Sequence, residues 1–234
     1  MSKAWEKEIV LDKRRPEIKS ILPSFGGFDL FYIFRDRGDL LLKWHQYNPG
    51  ANLIDSMTIR NFGNPINTTY SPIVALESEN KEYIAFYQID QQRTIKAFTF
   101  HIPTRKIVWE TAFGFSEPIN GKSFRQILLT DQGDLYFFYE RFNRKNQIEQ
   151  HYFECYQFGP TNGLELINFK IPMQSHLTFD VLFSYDNLND ILIAGGMYGN
   201  ESLALANGYF FSSVDPKLPG FPRTQFIPFE EQFI

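Results

Sequence analysis

Cysteine is almost absent from this chain of 234 residues: Cys155 stands alone. A single thiol excludes an internal disulfide and any cysteine-based zinc centre. Histidine is scarce as well, and His45, His101, His151 and His176 lie scattered, with no two at metal-ligand spacing beside a third ligand. No apolar run approaches the roughly 18 residues of a membrane-spanning helix. Basic residues are not in excess, and the net charge of −4 argues against a general nucleic-acid binder. The opening residues lack the apolar stretch of a signal peptide. On that reading the protein is cytoplasmic, or its signal is missing from this sequence. Catalytic signatures are missing too: there is no Gly-x-Ser-x-Gly elbow, phosphate loop or dinucleotide fingerprint. No catalytic residue, metal ligand or cofactor is assigned.

What is plentiful is aromatic. Phe, Tyr and Trp number 25, 12 and 3 and make up 17% of the chain. Period-2 patterns and short apolar runs bounded by turn signals dominate, so the chain reads as all-β. Phe28 to Phe34, a turn at Asp36-Arg37-Gly38-Asp39, Leu40 to Trp44, a turn at Asn48-Pro49-Gly50 and Leu53 to Met57 make an antiparallel meander. The same grammar recurs three times. Pro49, Pro103, Pro160 and Pro216 mark it at spacings of 54, 57 and 56 residues, each between an aromatic strand and a shorter outer one. Proline suits such a turn, because its fixed φ fits and its missing N–H breaks no ladder.

Each unit has one more strand before its first hairpin. The reading is therefore a β-propeller built of four-stranded antiparallel blades, at about 17–59, 71–113, 123–171 and 177–229. An irregular sandwich or barrel is the alternative. Inner strands such as Leu135 to Tyr139 are apolar at consecutive positions, as a blade covered on both faces requires. The large aromatics are expected to fill the gaps between wedge-shaped blades. Residues 4–11 read as a further outer strand, echoed by Trp109 to Phe113. Four blades plus one strand lead to the expectation that the chain is the N-terminal part of a larger propeller; the competing expectation is a closed four-bladed ring.

Three segments carry a family resemblance: Trp5 to Leu11, Ile193 to Tyr198 with Asn207 to Phe211, and Phe229 to Ile234. Their pattern resembles uncharacterised bacterial envelope or secreted propeller proteins. The resemblance implies a propeller and an extracytoplasmic, periplasmic or secreted address. It brings no catalytic residues.

In a propeller the loops sort to two faces. One face is expected to carry Asp36, Arg37, Asp39, Asp90, Arg93, Arg144, Lys145, Tyr198, Asn200 and Glu201 as candidate binding residues for a protein or glycan ligand. The functional reading is a non-enzymatic binding or scaffold module. The alternative is a carbohydrate-active or other hydrolytic propeller, in which Asp36, Asp90 and Glu201 converge on the channel. His151 and Cys155 lie four apart on one predicted strand, roughly 13 Å by strand rise, too far for a thiolate–imidazole pair. Gly195-Gly196 is expected to mark a close backbone approach or a bulge. Asp186 to Asp190 reads as a polar hairpin turn, not a calcium loop.

Overall fold

A computed structural model describes residues 6–11, 15–64, 71–115, 118–119, 124–141, 151–200 and 203–230. They form four separate four-stranded antiparallel sheets, each with its strands in sequential order. The first holds β1 (Glu17–Ser24), β2 (Gly27–Asp36), β3 (Asp39–Tyr47) and β4 (Leu53–Asn61). The second holds β5 (Val74–Glu77), β6 (Tyr83–Asp90), β7 (Thr94–His101) and β8 (Lys106–Gly114). The third holds β9 (Phe124–Leu129), β10 (Leu135–Arg141), β11 (Tyr152–Phe158) and β12 (Ile167–Pro172). The fourth holds β13 (Leu177–Asp186), β14 (Ile191–Gly199), β15 (Gly208–Val214) and β16 (Arg223–Pro228). These are propeller blades, and all four marker prolines fall in the turn between third and fourth strands.

Burial explains the sequence pattern strand by strand. Every residue from Asp29 to Phe34 in β2, and from Leu135 to Tyr139 in β10, is buried, because both faces of these strands are covered, those of β10 by blades on either side. The outer strand β16 is mostly exposed, so it needs little apolar character. First strands of successive blades are tied by side chains one repeat apart. Lys19 Nζ donates to the Ile73 carbonyl at 2.7 Å, and Gln126 exchanges two 2.9 Å bonds with the main chain of Phe183.

Three apolar clusters join the blades in series. Phe31, Ile33, Leu42 and Trp44 meet Ile84, Phe86, Phe98 and Phe100 between the first and second blades. Trp109 and Phe115 meet Phe137, Tyr139 and Phe158 between the second and third. Tyr136, Phe138 and Phe153 meet Phe183, Leu192 and Phe210 between the third and fourth. Among the described residues no such cluster joins the fourth blade to the first. The fourth blade exposes Leu182, Met197, Tyr209, Phe211 and Ile227 on its outward face.

Of the outer strand expected over 4–11, residues 4 and 5 lie outside the described residues. Residues 6–11 carry no strand. Ile9 and Leu11 instead pack on Leu30, Tyr32, Phe34 and Tyr47, the first blade's outward face. Lys7 anchors this segment by donating to Gly50 O at 3.1 Å and Asn52 Oδ1 at 2.6 Å. A ladder requires a free strand edge, whereas covering an apolar face requires only side chains.

Gly196 fits the close approach foreseen for it. A Cβ there would lie 2.3 Å from the Asp180 carbonyl oxygen, beside an irregularity between Thr178 and Val181 in the β13–β14 ladder. The Asp186 turn is closed internally: its carboxylate accepts from Leu188 N, Asn189 N and Asn189 Nδ2 at 2.7–3.1 Å. Those bonds hold the Asp186 carboxyl below its ordinary range.

The arrangement predicts unequal costs for apolar truncations. Phe31→Ala, between blades, should lower unfolding free energy by about 3–5 kcal/mol. Leu182→Ala, on the open face, should change it by less than about 0.5 kcal/mol. Urea unfolding of both variants measures the contrast, and equal losses would mean that the fourth blade's outward face is covered.

Candidate binding groove between the first and second blades

The aromatic packing between the first and second blades stops before it reaches the loop edge. On the second blade's facing side the row Phe86, Phe98 and Glu110 is followed by Gln88, Lys96 and Ala112. No bulky apolar side chain stands in that last row, so the two sheets part. The result is a groove of about 310 Å³ lined by Arg60, Phe62, Ile73, Phe86, Gln88, Phe98 and their neighbours. Its size is at the lower end of small-ligand sites.

The floor is apolar and the rim charged. The Arg60 guanidinium lies 5.1 Å from the Phe98 ring centroid and 5.9 Å from that of Phe62. It also pairs with Glu110, reaching across from β4 to β8. Lys96 pairs with Asp90 at 2.8 Å. Gln88 Nε2 donates to the Ser71 carbonyl at 2.8 Å, which fixes that side chain. Both rim cations are thus neutralised within the protein. The Tyr87 hydroxyl, beside the groove, is pushed above its ordinary value by burial. The described lining contains no histidine, cysteine or serine. What it offers is apolar contact, a cationic face and amide hydrogen bonding.

The predicted loop residues fall into different places. Asp36 and Asp39 face each other across the β2–β3 turn, with Arg37 and Gly38 at positive φ in between. Asp39 Oδ2 accepts from Asn61 Nδ2 at 2.9 Å, tying the hairpin to β4. Asp90 reaches the groove rim through Lys96. Arg93 closes its hairpin through its main chain, donating to Asp90 O at 3.0 Å and accepting from Phe115 N at 2.8 Å. Asn200 N donates to Asn207 Oδ1 at 2.9 Å within the β14–β15 loop. Arg144, Lys145 and Glu201 lie outside the described residues. Tyr198 is a correction: it belongs to β14 and is buried, its ring set edge-on to His176 and Phe226 at 4.7 and 5.2 Å. An aromatic one residue from a strand end continues the core pattern and is not presented to a ligand.

A comparison with protein-family models and with curated protein sequences finds no match. The blades do resemble solved propellers. The chain is similar to the β-propeller domain of the Trilobed protease from Pyrococcus furiosus, at 10% identity and TM-score 0.47 over 92% of this chain and 59% of that one. It is also similar to an acylaminoacyl peptidase from Pyrococcus horikoshii, at 9% identity and TM-score 0.45 over 92% and 33%. A polysaccharide lyase, Uly1, aligns at 9% identity and TM-score 0.38 over 86% and 53%. The chain therefore spans between about a third and three fifths of the length of these structures.

Groove residues Arg60, Gln88 and Glu110 were not singled out from the sequence. Their signal was Ala112 in an outer strand whose neighbours are Trp109 and Phe113. Cys155 is fully buried, and burial pushes its thiol well above the ordinary value. A buried neutral thiol is a packing group. Native protein should therefore react with an aromatic disulfide reagent at least 100-fold more slowly than protein in denaturant. Rapid reaction in the native state would contradict this.

Proposed function

We propose that this chain is a non-enzymatic binding propeller that captures a polypeptide segment through an apolar side chain set into the groove between the first and second blades. The observation that carries the reading is the pairing of an apolar floor with a rim whose charges are already balanced. A rim carrying unpaired cations would select an anion. With Arg60 held by Glu110 and Lys96 by Asp90, the preferred occupant is an uncharged amphipathic group. A peptide segment has that character, with an aliphatic or aromatic anchor for Phe62, Phe86 and Phe98 and main-chain amides for Gln88 and the Arg60–Glu110 pair.

The hydrolytic reading asks Asp36 and Asp90 to converge with Glu201. Asp90 is committed to Lys96, and both aspartates stand at the tips of second-to-third-strand hairpins, one step outward from the first strands. The binding reading makes no such demand. The proposal includes an extracytoplasmic address, which rests on the sequence resemblance.

Ala112→Trp is the decisive variant. Ala112 is exposed beside the groove, so an indole there fills the space without disturbing the core. Peptides selected from a displayed 12-residue library against the native protein should contain an apolar anchor and lose at least tenfold affinity for Ala112→Trp, with its thermal unfolding unchanged. Undiminished binding would place the site elsewhere. Turnover of a glycan or peptide panel that disappears in Asp90→Asn would overturn the non-enzymatic reading.

A further inference from the structure

The junction between the third and fourth blades buries a histidine against a carboxylate. His151, immediately before β11, is 2% exposed. Its Nε2 lies 2.9 Å from Glu140 Oε1, and its Nδ1 lies 2.6 Å from the main-chain carbonyl oxygen of His176. Both ring nitrogens therefore face oxygens. The carbonyl only accepts, and an ionised carboxylate only accepts.

A neutral imidazole has one N–H. Beside an ionised Glu140 it satisfies one of these contacts and aims a lone pair at the other oxygen, inside protein where repulsion is weakly screened. Both contacts become hydrogen bonds when the pair holds one proton more. That proton sits on the ring, giving imidazolium and carboxylate, or on Glu140, giving a neutral ring and a carboxyl. The count is the same either way, and a coupled pair titrates as a unit.

Among the described residues, the groups around the pair come from four directions. Arg125 on β9 pairs with the other Glu140 oxygen, and Thr178 Oγ1 on β13 donates to Oε1 at 3.2 Å. Arg141, next along β10, is held by Glu154 of β11 at 2.7 Å. The His176 ring stacks on Phe226 at 4.1 Å, with its Nδ1 3.2 Å from Met173 O. Phe153 lies against the His151 ring, with centroids 5.6 Å apart. Burial, reinforced by the charge of Arg125, holds the His151 ring below its ordinary value. Against this, the oxygens facing both ring nitrogens favour a pair that holds the extra proton.

We propose that His151 and Glu140 share one proton in the folded protein at neutral pH and release it when the third and fourth blades separate, so that this junction is a pH-dependent clasp.

The sign follows from the unfolded values, about 4.3 for Glu and 6.5 for His. Between them the unfolded pair also carries one proton, and pH has no effect. Above about 6.5 the unfolded pair loses its proton while the folded pair keeps it, so stability falls as pH rises. A neutral ring beside an ionised carboxylate gives the opposite sign. There the unfolded state gains a proton below about 6.5 that the folded state refuses, and stability falls as pH drops from 8 to 5.

Urea unfolding from pH 5.5 to 8.5, with wild type and Glu140→Gln in parallel, separates the two. Glutamine mimics the protonated carboxyl: its amide N–H reaches the ring and exchanges no proton in this range. Relative to that variant, whose folded ring carries no extra proton, the wild-type unfolding constant should rise by up to tenfold per pH unit across the whole range. A flat difference throughout, or one of opposite sign, overturns the proposal. If Glu140→Gln does not fold, NMR of the wild-type ring nitrogens and carboxyl carbon decides the matter. The proposal expects a proton between Nε2 and Glu140 throughout pH 6 to 8, seen as a protonated Nε2 or, in the carboxyl carbon signal, as a protonated Glu140. An ionised Glu140 beside an unprotonated Nε2, or a titration centred near 6.5, overturns it.

Discussion

Aromatic contact across the gap between blades is the interaction on which the rest of this structure depends. A four-stranded sheet with two apolar faces is not stable alone, and each blade here gains its cover from the next. The pairs are direct: Phe31 with Phe86 at 5.9 Å, Phe113 with Phe137 at 5.2 Å, and Phe138 stacked on Phe183 at 4.0 Å. Flat rings suit this gap because they offer large area at low conformational cost and pack at a range of tilts. The high aromatic content is the composition of three such junctions.

This dependence explains which parts of the molecule were legible in sequence. A blade imposes local rules: apolar runs at consecutive positions in the second strand, a tight turn, and proline before the outer strand. Pro49, Pro103, Pro160 and Pro216 obey them, so the four units and their turns were readable without any identity between repeats. The segment at 6–11 was misread because Ile9 and Leu11 have the period of a strand. That same period serves to lay alternate side chains on an apolar sheet. Only the absence of a hydrogen-bonding edge distinguishes the two, and an edge belongs to the fold, not the segment. Tyr198 illustrates the converse: its neighbours Gly199 and Asn200 mark a loop, yet its ring still belongs to the sheet.

The sites were less legible for a related reason. The groove arises where three strands stop supplying apolar bulk in the same row, and rows are set by register among β6, β7 and β8 (Gln88 against Lys96, Lys96 against Ala112). Each of those residues is unremarkable in its own strand. His151 and Glu140 present the same difficulty. They lie eleven residues apart at facing ends of two strands, and their environment is completed by Arg125 and Thr178 from two further strands. Spacing rules for metals or nucleophiles do not capture a contact of this kind.

The three junctions share an apolar centre and differ at their polar edges, and the edges set how each responds to conditions. Between the first and second blades the edge is a set of partly exposed ion pairs: Arg60 with Glu110, and Arg105 with Asp55, whose guanidinium also lies 5.1 Å from the Trp44 ring. Exposed pairs contribute little and are screened by salt, so that edge yields at small cost, as a binding groove requires. Between the second and third blades the edge is uncharged at its buried point, with Trp109 Nε1 donating to Gly133 O at 2.8 Å. Neither salt nor mild pH change acts on that bond. Between the third and fourth blades the edge is a charge cluster around the half-buried Glu140, with His151 buried on one side of it and Arg125 exposed on the other. A single repeated unit thus yields three junctions of distinct character, because the aromatic centres hold the blades together and leave the edges free to differ.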